Sequence, residues 1–236
     1  MTLLLAGLTL TNSDMTRYSP NFHETIHQLI SDSSDIIKNG AAYCLGHLAL
    51  SNVDIYLPVM MDAIKSGKQR YYYIVAVNEM VSRFIFEKRV SLHAFQVQLW
   101  DLLLQVVQDS EEEGINSLIS DCIGKLLLND APLFLSRLVE LLTSPQTELR
   151  VTAVGAFRYT ISRSSVEFEK LVYPLVGSFF EKLQDPSVQV RKMALTALSS
   201  AIHSKPILLN HVLSDVIPLL YQETTFKVVI YIHFTD

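Results

Sequence analysis

Apolar side chains recur along most of the chain at the three- and four-residue spacing that is typical of amphipathic helices. Short polar turns separate these segments, and no segment before Thr225 has the strict alternation of a strand. The pattern therefore predicts an all-α fold. The predicted helices span residues 2–10, 21–31, 34–51, 53–66, 69–86, 92–108, 112–129, 131–143, 146–163, 166–184, 187–203 and 206–222.

Internal repetition indicates a stack of similar helical units. Segment 43–50 is echoed by segment 121–128, and segment 149–157 by segment 190–198, at intervals of about forty residues or twice that. Helical repeats of this length are typical of HEAT and armadillo proteins. We therefore predict an α–α superhelix, a HEAT- or armadillo-like solenoid of about six helix-hairpin repeats.

Polar turn residues and prolines interrupt this pattern at regular places. Asp and Ser suit a helix N-cap because their side-chain oxygen accepts an unpaired backbone N–H. Residues of this kind that precede a predicted helix are Asp32, Ser66, Asp109, Ser144 and Asp185. Prolines in the first helix of a unit, where we expect kinks, are Pro58, Pro132, Pro174 and Pro218. A kinked first helix favours HEAT over armadillo repeats.

The repeat pattern predicts one solenoid over residues 1–224 and a divergent apolar tail over residues 225–236. Both ends of the chain are apolar, whereas the terminal repeats of a solenoid need a polar outer face. We therefore expect the chain to be a piece of a longer array. Its start lacks the positively charged leader of a signal peptide, and no run approaches the ~18 apolar residues of a membrane span.

Composition narrows the functional class. The chain has 236 residues, of which 49% are hydrophobic and 18% charged, a balance that excludes intrinsic disorder. Its net charge of −5 gives no general attraction to nucleic acid or to anionic membranes. The two cysteines, Cys44 and Cys122, are too few for a disulfide framework and indicate buried thiols. We expect an intracellular protein of the cytoplasm and nucleus.

No set of residues predicts catalysis or a bound cofactor. His23 and His27 have the spacing of a zinc-binding pair, but a third ligand is not evident, and a solvated helix face is the stronger interpretation. The glycines never cluster into a phosphate-binding loop, and we expect Gly46 and Gly124 at close helix contacts. The sequence therefore predicts a protein that is not an enzyme, with no catalytic residue, cofactor, metal or small-molecule substrate.

Arg150 and Arg191 lie at equivalent positions near the start of two predicted second helices. In HEAT-like stacks an arginine at this position often pairs with a turn aspartate of the neighbouring repeat, and Asp185 is the natural acceptor for Arg150. A planar guanidinium suits bidentate pairing with a carboxylate. Contact with a partner protein is the alternative role for these arginines.

The second helices of the last two repeats carry more bases than acids, although the whole chain is acidic. Predicted helix 146–163 holds three arginines against Glu148, and predicted helix 187–203 holds two bases and no acid. A basic surface of this kind would complement an acidic surface on a partner protein. The alternative interpretation is an ordinary solvent-exposed helix face with no partner. The predicted partner-binding residues are Arg150, Arg158, Arg163, Arg191, Lys192, His203 and Lys205.

Aromatic residues give two packing predictions. Successive residues on a helix point about 100° apart, so Tyr71, Tyr72 and Tyr73 cannot all face one groove. We expect at least one of them at a seam between repeats or exposed to solvent. Trp100 continues an apolar helix face and is expected in the core.

Several segments together resemble the cullin-associated, neddylation-dissociated proteins, which are also described as TATA-binding-protein-interacting proteins. The resemblance runs in order from about Leu3 to Thr224 and corresponds to the later-middle or C-terminal part of a longer HEAT-repeat protein. The segments that carry it are IIKNGAAYCLGHL (36–48), QRY (69–71), EEEG (111–114), CIGKL (122–126), KLQDP (182–186), and residues 200–206 followed by residues 216–224.

The resemblance implies a scaffold that wraps an unmodified cullin of a cullin–RING ubiquitin ligase. In the family, the C-terminal part opposes binding of the adaptor and substrate receptor, and so promotes receptor exchange in SCF-type assemblies without any catalytic residue. After Thr224 this chain departs from the family, which continues with a charged helix and a hairpin that reaches the adaptor site. Partial cullin binding is therefore the most that we expect of this chain.

Two other classes of helical-repeat protein are alternatives. An importin-type transport receptor also stacks HEAT units, but it is expected to carry acidic inner loops or a ladder of tryptophans, and this chain has one Trp. A transcription regulator that binds TATA-binding protein would use the same scaffold for a different partner.

Overall fold

The structure is a computed structural model that describes residues 22–87, 94–110, 112–210, 212–218 and 220–221. Over these residues it contains α-helices and short 3-10 segments and no β-strand, which confirms the predicted all-α class. The chain divides into two compact units, Met1–Asn129 and Asp130–Asp236. No helix in the described part is long and apolar enough to cross a membrane.

The described residues of the first unit form three helix hairpins. The helices are α1 (Phe22–Ile30), α2 (Asp35–Ser51), α3 (Val53–Ser66), α4 (Arg70–Glu87), α5 (Gln96–Asp109) and α6 (Glu113–Asn129). Within each hairpin the first helix packs on the second, and the second helices pack on one another in the order α2, α4, α6. This layered stacking of hairpins is the arrangement of HEAT-like repeats.

The second unit has the same arrangement, but one of its first helices is interrupted by 3-10 segments. Its helices are α7 (Ala131–Leu141), α8 (Thr147–Arg163), α9 (Val166–Val172), α10 (Val176–Phe180) and α11 (Val188–Ser204). The 3-10 segments are Tyr173–Leu175, Glu181–Gln184 and Pro206–Leu209, and a further helical segment covers residues 213–218. The second helices α8 and α11 pack along each other, while α7 lies on α8.

Large apolar side chains fill the interior of each unit. In the first unit Trp100 is 1% exposed, which confirms its predicted place in the core. In the second unit the Phe157 ring stacks on Phe179 with centroids 3.8 Å apart and meets the edge of Phe180 at 5.9 Å. Each buried ring of this kind removes a large apolar area from water and so contributes strongly to the stability of its unit.

Gly46 allows α2 and α4 to approach closely. A Cβ at Gly46 would lie 2.5 Å from the carbonyl oxygen of Ala76, a distance that real Cβ atoms do not show. The expected close helix contact at Gly46 is therefore confirmed, and the same role for Gly124 stays a prediction. Gly40, on the same helix, has nothing within 4 Å of its Cβ position, so the constraint is local to the seam.

Most of the polar turn residues lie two positions before the N-cap of the following helix. The Asp32 carboxylate accepts the N–H of Ser34 at 2.8 Å, and the Asp185 carboxylate accepts that of Ser187 at 2.9 Å. The hydroxyls of Ser110 and Ser144 likewise accept the N–H two residues on. The N-cap prediction is thus wrong for Asp32, Ser144 and Asp185, because these side chains close Asx- or Ser-type turns before the helix begins.

Two further turn predictions are also corrected. Ser66 and Asp109 are the last residues of α3 and α5 rather than caps of the next helix. The Ser66 hydroxyl donates to the Ala63 carbonyl at 2.7 Å, and Gly67 ends α3 in the left-handed conformation with φ 78°. Ser110, one residue after Asp109, takes the turn role instead.

The prolines have different effects in different repeats. Pro58 lies inside the continuous helix α3. Pro132 lies in the first turn of α7, where its missing N–H costs nothing, so the expected kink is replaced by a helix start. Pro174 divides predicted helix 166–184 into α9, a 3-10 turn and α10.

The prediction of one solenoid over residues 1–224 stays a prediction. Predicted helix 2–10 and the predicted tail 225–236 lie outside the residues that the structure describes.

Candidate protein-binding surface

The predicted basic surface lies on α8 and α11, the second helices of the second unit. Arg163 and Lys192 are exposed, and Arg158 is half-buried. The Arg163 guanidinium lies 4.2 Å from the centroid of the Tyr159 ring, and its Nη1 donates to the Ser162 hydroxyl at 3.2 Å. A cation held over an aromatic ring keeps its charge at the surface with fewer accessible rotamers. We call Arg158, Arg163 and Lys192 the basic face.

Arg150 is engaged inside the second unit. Its Nε and Nη2 donate to the two carboxylate oxygens of Asp185 at 2.8 and 2.9 Å, which confirms the predicted pairing. Burial disfavours the charged carboxylate, but the Arg150 fork and the Ser187 N–H outweigh it, so the pKa of Asp185 lies below its ordinary value. Only 8% of Arg150 is exposed, so little of it is left for a partner.

Arg191 repeats the backbone part of this arrangement one repeat later. Arg150 Nη1 donates to the carbonyls of Ser144 and Pro145 at 2.8 and 3.1 Å. Arg191 Nη1 donates to the carbonyls of Asp185 and Pro186 at 2.9 and 3.1 Å. Each arginine therefore reaches back to close the turn that precedes its own helix, and the sequence prediction did not include this contact.

The same contact occurs in the first unit with another donor. Asn116 Nδ2 donates to the Ser110 carbonyl at 3.3 Å, and Asn116 is the fourth residue of its helix, as Arg150 and Arg191 are of theirs. Arg70, the first residue of α4, instead donates from Nε to the Ile64 carbonyl inside α3 at 3.0 Å. The signal in the sequence is a polar side chain six residues after the turn residue.

Lys205 and His203 lie at the end of α11 and differ in their surroundings. Lys205 Nζ lies 2.6 Å from the Glu169 carboxylate and donates to the Ser164 carbonyl at 3.1 Å. Its charge is therefore matched within the second unit. His203 is exposed. Of the seven predicted partner-binding residues, Arg163, Lys192 and His203 are exposed, and contact of any of the seven with a partner stays a prediction.

A second polar cluster lies between the second helices of the first unit, and the sequence prediction missed it. The Glu79 carboxylate lies 3.3 Å from His47 Nε2 and accepts from Arg83 Nε at 3.0 Å. These contacts, with His47 first, outweigh burial and lower the pKa of Glu79 to about 2. Lys125 Nζ, from the other side of α4, donates to the side-chain oxygen of Asn78 at 2.6 Å.

The two side chains that contact α4 come from echoed sequence positions. His47 and Lys125 occupy the same place in the two echoed segments, each directly after a Cys-x-Gly sequence. Both contact α4, which presents Glu79 to α2 and Asn78 to α6. The polar side chains of this seam are therefore bonded to one another within the first unit.

The histidines and cysteines singled out in the sequence can be compared with their surroundings where the structure describes them. No three His, Cys, Asp or Glu side chains in the described part are grouped to hold a metal ion. His27 Nδ1 lies 2.7 Å from the Tyr73 hydroxyl, so this histidine has a packing contact. Cys44 and Cys122 are buried, as predicted. Burial raises the pKa of both thiols, that of Cys122 to about 12.

Comparison with known proteins confirms the resemblance that the sequence shows. No family model matches the chain. It is 32% identical over 201 residues to cullin-associated NEDD8-dissociated protein 2 of Rattus norvegicus, covering 85% of this chain and 16% of that protein. It is 30% identical over 192 residues to cullin-associated NEDD8-dissociated protein 1 of Arabidopsis thaliana, covering 81% of this chain and 16% of that protein.

A third relative is named as a part of such a protein. The chain is 30% identical over 199 residues to the cullin-associated NEDD8-dissociated protein 1, C-terminal part, of Emericella nidulans, covering 84% of this chain and 19% of that protein. The chain thus spans less than a fifth of the length of these curated relatives.

Proposed function

The chain belongs by sequence to the family of cullin-associated NEDD8-dissociated proteins, and on this premise we propose that it is a protein-binding segment that contacts an unmodified cullin. The curated relatives take their name from cullin association. The observation that carries the proposal is the basic face, two of whose three cations are exposed in a chain of net charge −5. An acidic cullin surface is the complementary partner.

The geometry of the basic face supports binding by charge complementarity. Its cations lie on α8 and α11, which pack along each other and are braced by the Phe157–Phe179 stack beneath them. Arg163 is further held over Tyr159. A side chain held in this way loses less conformational entropy on binding, and exposed cations favour electrostatically steered association with an acidic surface.

The mechanism that follows is steric and needs no reacting group. A segment that occupies part of a cullin surface prevents an adaptor from using the same surface, and the two bind in a mutually exclusive way. We propose that this chain contributes in that way to the exchange of adaptors and substrate receptors on cullin–RING ubiquitin ligases. The free energy for exchange then comes from binding alone.

Copurification tests the proposal. The full chain is mixed with a tagged cullin that either carries or lacks its ubiquitin-like modifier, and the amount recovered with each form is measured. We expect recovery with the bare cullin and much less with the modified one. Equal recovery with both forms would contradict the proposed mechanism, and recovery with neither would contradict cullin binding altogether.

A further inference from the structure

The last helical segment that the structure describes carries a row of exposed apolar side chains. Residues 213–218 and 220–221 are helical, and Leu213, Ile217 and Tyr221 within them are 38, 56 and 74% exposed. These three residues follow one another at intervals of four, so they lie on one side of the helix. We call Leu213, Ile217 and Tyr221 the apolar stripe.

A different side of the same segment packs into the second unit. Val212 and Val216 are only 5 and 3% exposed. A Cβ at Gly177 of α10 would lie 3.7 Å from Val212 Cγ1, so this side of the segment lies against α10. The segment is therefore held in place by its buried valines, and the apolar stripe lies on a side that these contacts leave open to a further apolar segment.

The tail that follows has the pattern of an extended amphipathic segment. Every second residue in it is apolar, and these residues are Phe226, Val228, Ile230, Ile232 and Phe234. The positions between them hold Lys227 and His233 together with Val229 and Tyr231. Successive side chains of an extended chain point to opposite sides. In extended form the tail would therefore present one continuous apolar side.

The apolar stripe and the apolar side of the tail agree in length. From Tyr221 to Leu213 a helix rises about 12 Å, at about 1.5 Å for each of eight residues. From Phe226 to Ile230 an extended chain rises about 13 Å, at about 3.3 Å for each of four residues. A tail that runs antiparallel to the helix would therefore place Phe226 beside Tyr221 and Ile230 beside Leu213.

The connection between the stripe and the apolar side of the tail is short and polar. It consists of Gln222, Glu223, Thr224 and Thr225. Four residues suffice to reverse the direction of a chain between two packed elements. So short a tether gives the tail an effective concentration of the order of millimolar at the stripe. A second copy of the chain or a partner protein would have to compete with this local concentration.

We propose that the tail folds back in extended form along the apolar stripe and covers it. The apolar side of the tail contacts Leu213, Ile217 and Tyr221, and the backbone N–H and C=O groups at both edges of the tail stay accessible to water. Segments rich in β-branched and aromatic residues aggregate when they are exposed, and the contact with the stripe removes that exposure. This inference concerns the second unit alone and does not depend on which protein binds the basic face.

Disulfide trapping tests the contact in the full chain. On mild oxidation Leu213→Cys with Ile230→Cys should form an intrachain disulfide, because the two positions then face each other. Leu213→Cys with Val229→Cys is the matched control, since Val229 lies on the other side of the extended tail, and it should react about tenfold more slowly because a disulfide needs closely facing Cβ atoms. Cys44 and Cys122 are buried and should not compete. Equal rates for the two pairs, or no intrachain disulfide in either, would overturn the proposal.

A charge in the tail tests whether the tail covers the stripe. Ile230→Asp should release the tail, so the fluorescence of the dye ANS, which binds exposed apolar surface, should rise in the full chain. Val229→Asp makes the same kind of change one residue away, on the other side of the tail, and should leave the fluorescence close to that of the unsubstituted chain. Equal increases in the two variants would contradict the proposed contact.

Sedimentation at rising protein concentration distinguishes the chain's own tail from other occupants of the stripe. We expect the trapped disulfide to lie within one chain at every concentration. A disulfide that joins two chains, or a dimer that Ile230→Asp dissociates, would show that the stripe binds a second copy and would overturn the proposal. Neither result would change the outcome of cullin copurification, so a failure of this inference is distinguishable from a failure of the proposed function.

Discussion

The two units have the same helical repeat, but their buried polar groups lie at different places in it. In the first unit, His47 and Lys125 contact α4 from opposite sides, so the polar contacts lie at the seams between second helices. In the second unit, the buried pair of Arg150 and Asp185 lies at the turns, and residues such as Ala194 and Ala197 leave α11 apolar where it is buried. The repeat is the same, but the location of its charges is not.

This difference indicates which charges contribute to the stability of the fold and which are available to contact a partner. Where charges lie in the seam, as at Glu79, they are engaged within the unit, here by His47 of the neighbouring helix and by Arg83 of the same helix. Where the buried pair lies at the turns, the second helices are free to carry exposed cations such as Arg163 and Lys192. A buried pair stabilises a fold only while both partners are present, whereas exposed charges mainly change association rates.

Removal of Asp185 should have the largest effect on stability. Asp185→Ala leaves the buried Arg150 guanidinium without its carboxylate and opens the turn at Ser187, so we expect a loss of about 3–5 kcal/mol in the free energy of unfolding. Urea denaturation followed by circular dichroism measures this. Asp62→Ala, which removes an exposed pair with Lys65, is the control and should change little. Equal losses in the two variants would contradict the structural role of the pair.

A methyl group at Gly46 should force the seam of the first unit apart. Gly46→Ala places a Cβ against the Ala76 carbonyl, and overpacking of this kind costs about 1–3 kcal/mol. Gly40→Ala, on the same helix but with open space around it, should instead stabilise the protein by about 0.5–1 kcal/mol. Opposite signs for the two substitutions support the close contact, and a shared sign would count against it.

Acid should weaken the first unit through Glu79. Its pKa falls from the ordinary value of 4.5 to about 2, so its contribution to stability is present above pH 4.5 and is lost as the pH falls toward 2. Glu79→Gln should reduce the slope of unfolding free energy against pH in this window. Glu140→Gln, at an exposed site, serves as the control. An unchanged slope in Glu79→Gln would show that the contacts with His47 and Arg83 do not stabilise the charged form.

The sequence predicted what local periodicity and the equivalence of successive repeats determine. The helices and the all-α class follow from local periodicity, and the pair of Arg150 and Asp185 followed from equivalent positions in successive repeats. The turn residues were found but given the wrong role, because an N-cap and an Asx turn use the same residue types two positions apart. Pro132 was misplaced because its role depends on where the helix begins.

What the sequence left out depends on how hairpins align with one another. The contact of His47 with Glu79 requires the axial register of α2 on α4, which the close approach at Gly46 sets. This contact does not follow from spacing along one helix, although the echoed position of His47 and Lys125 was visible in the sequence.

The basic face is the central claim, and the association rate with immobilised unmodified cullin tests it most directly. The reversed variant Arg158→Glu, Arg163→Glu, Lys192→Glu is compared with Lys65→Glu, Lys68→Glu, Lys170→Glu, which makes the same change in net charge at exposed sites elsewhere. At low salt we expect the first variant to associate about tenfold or more slowly than the second, with the difference shrinking as salt rises. Equal association rates at low salt would contradict the claim.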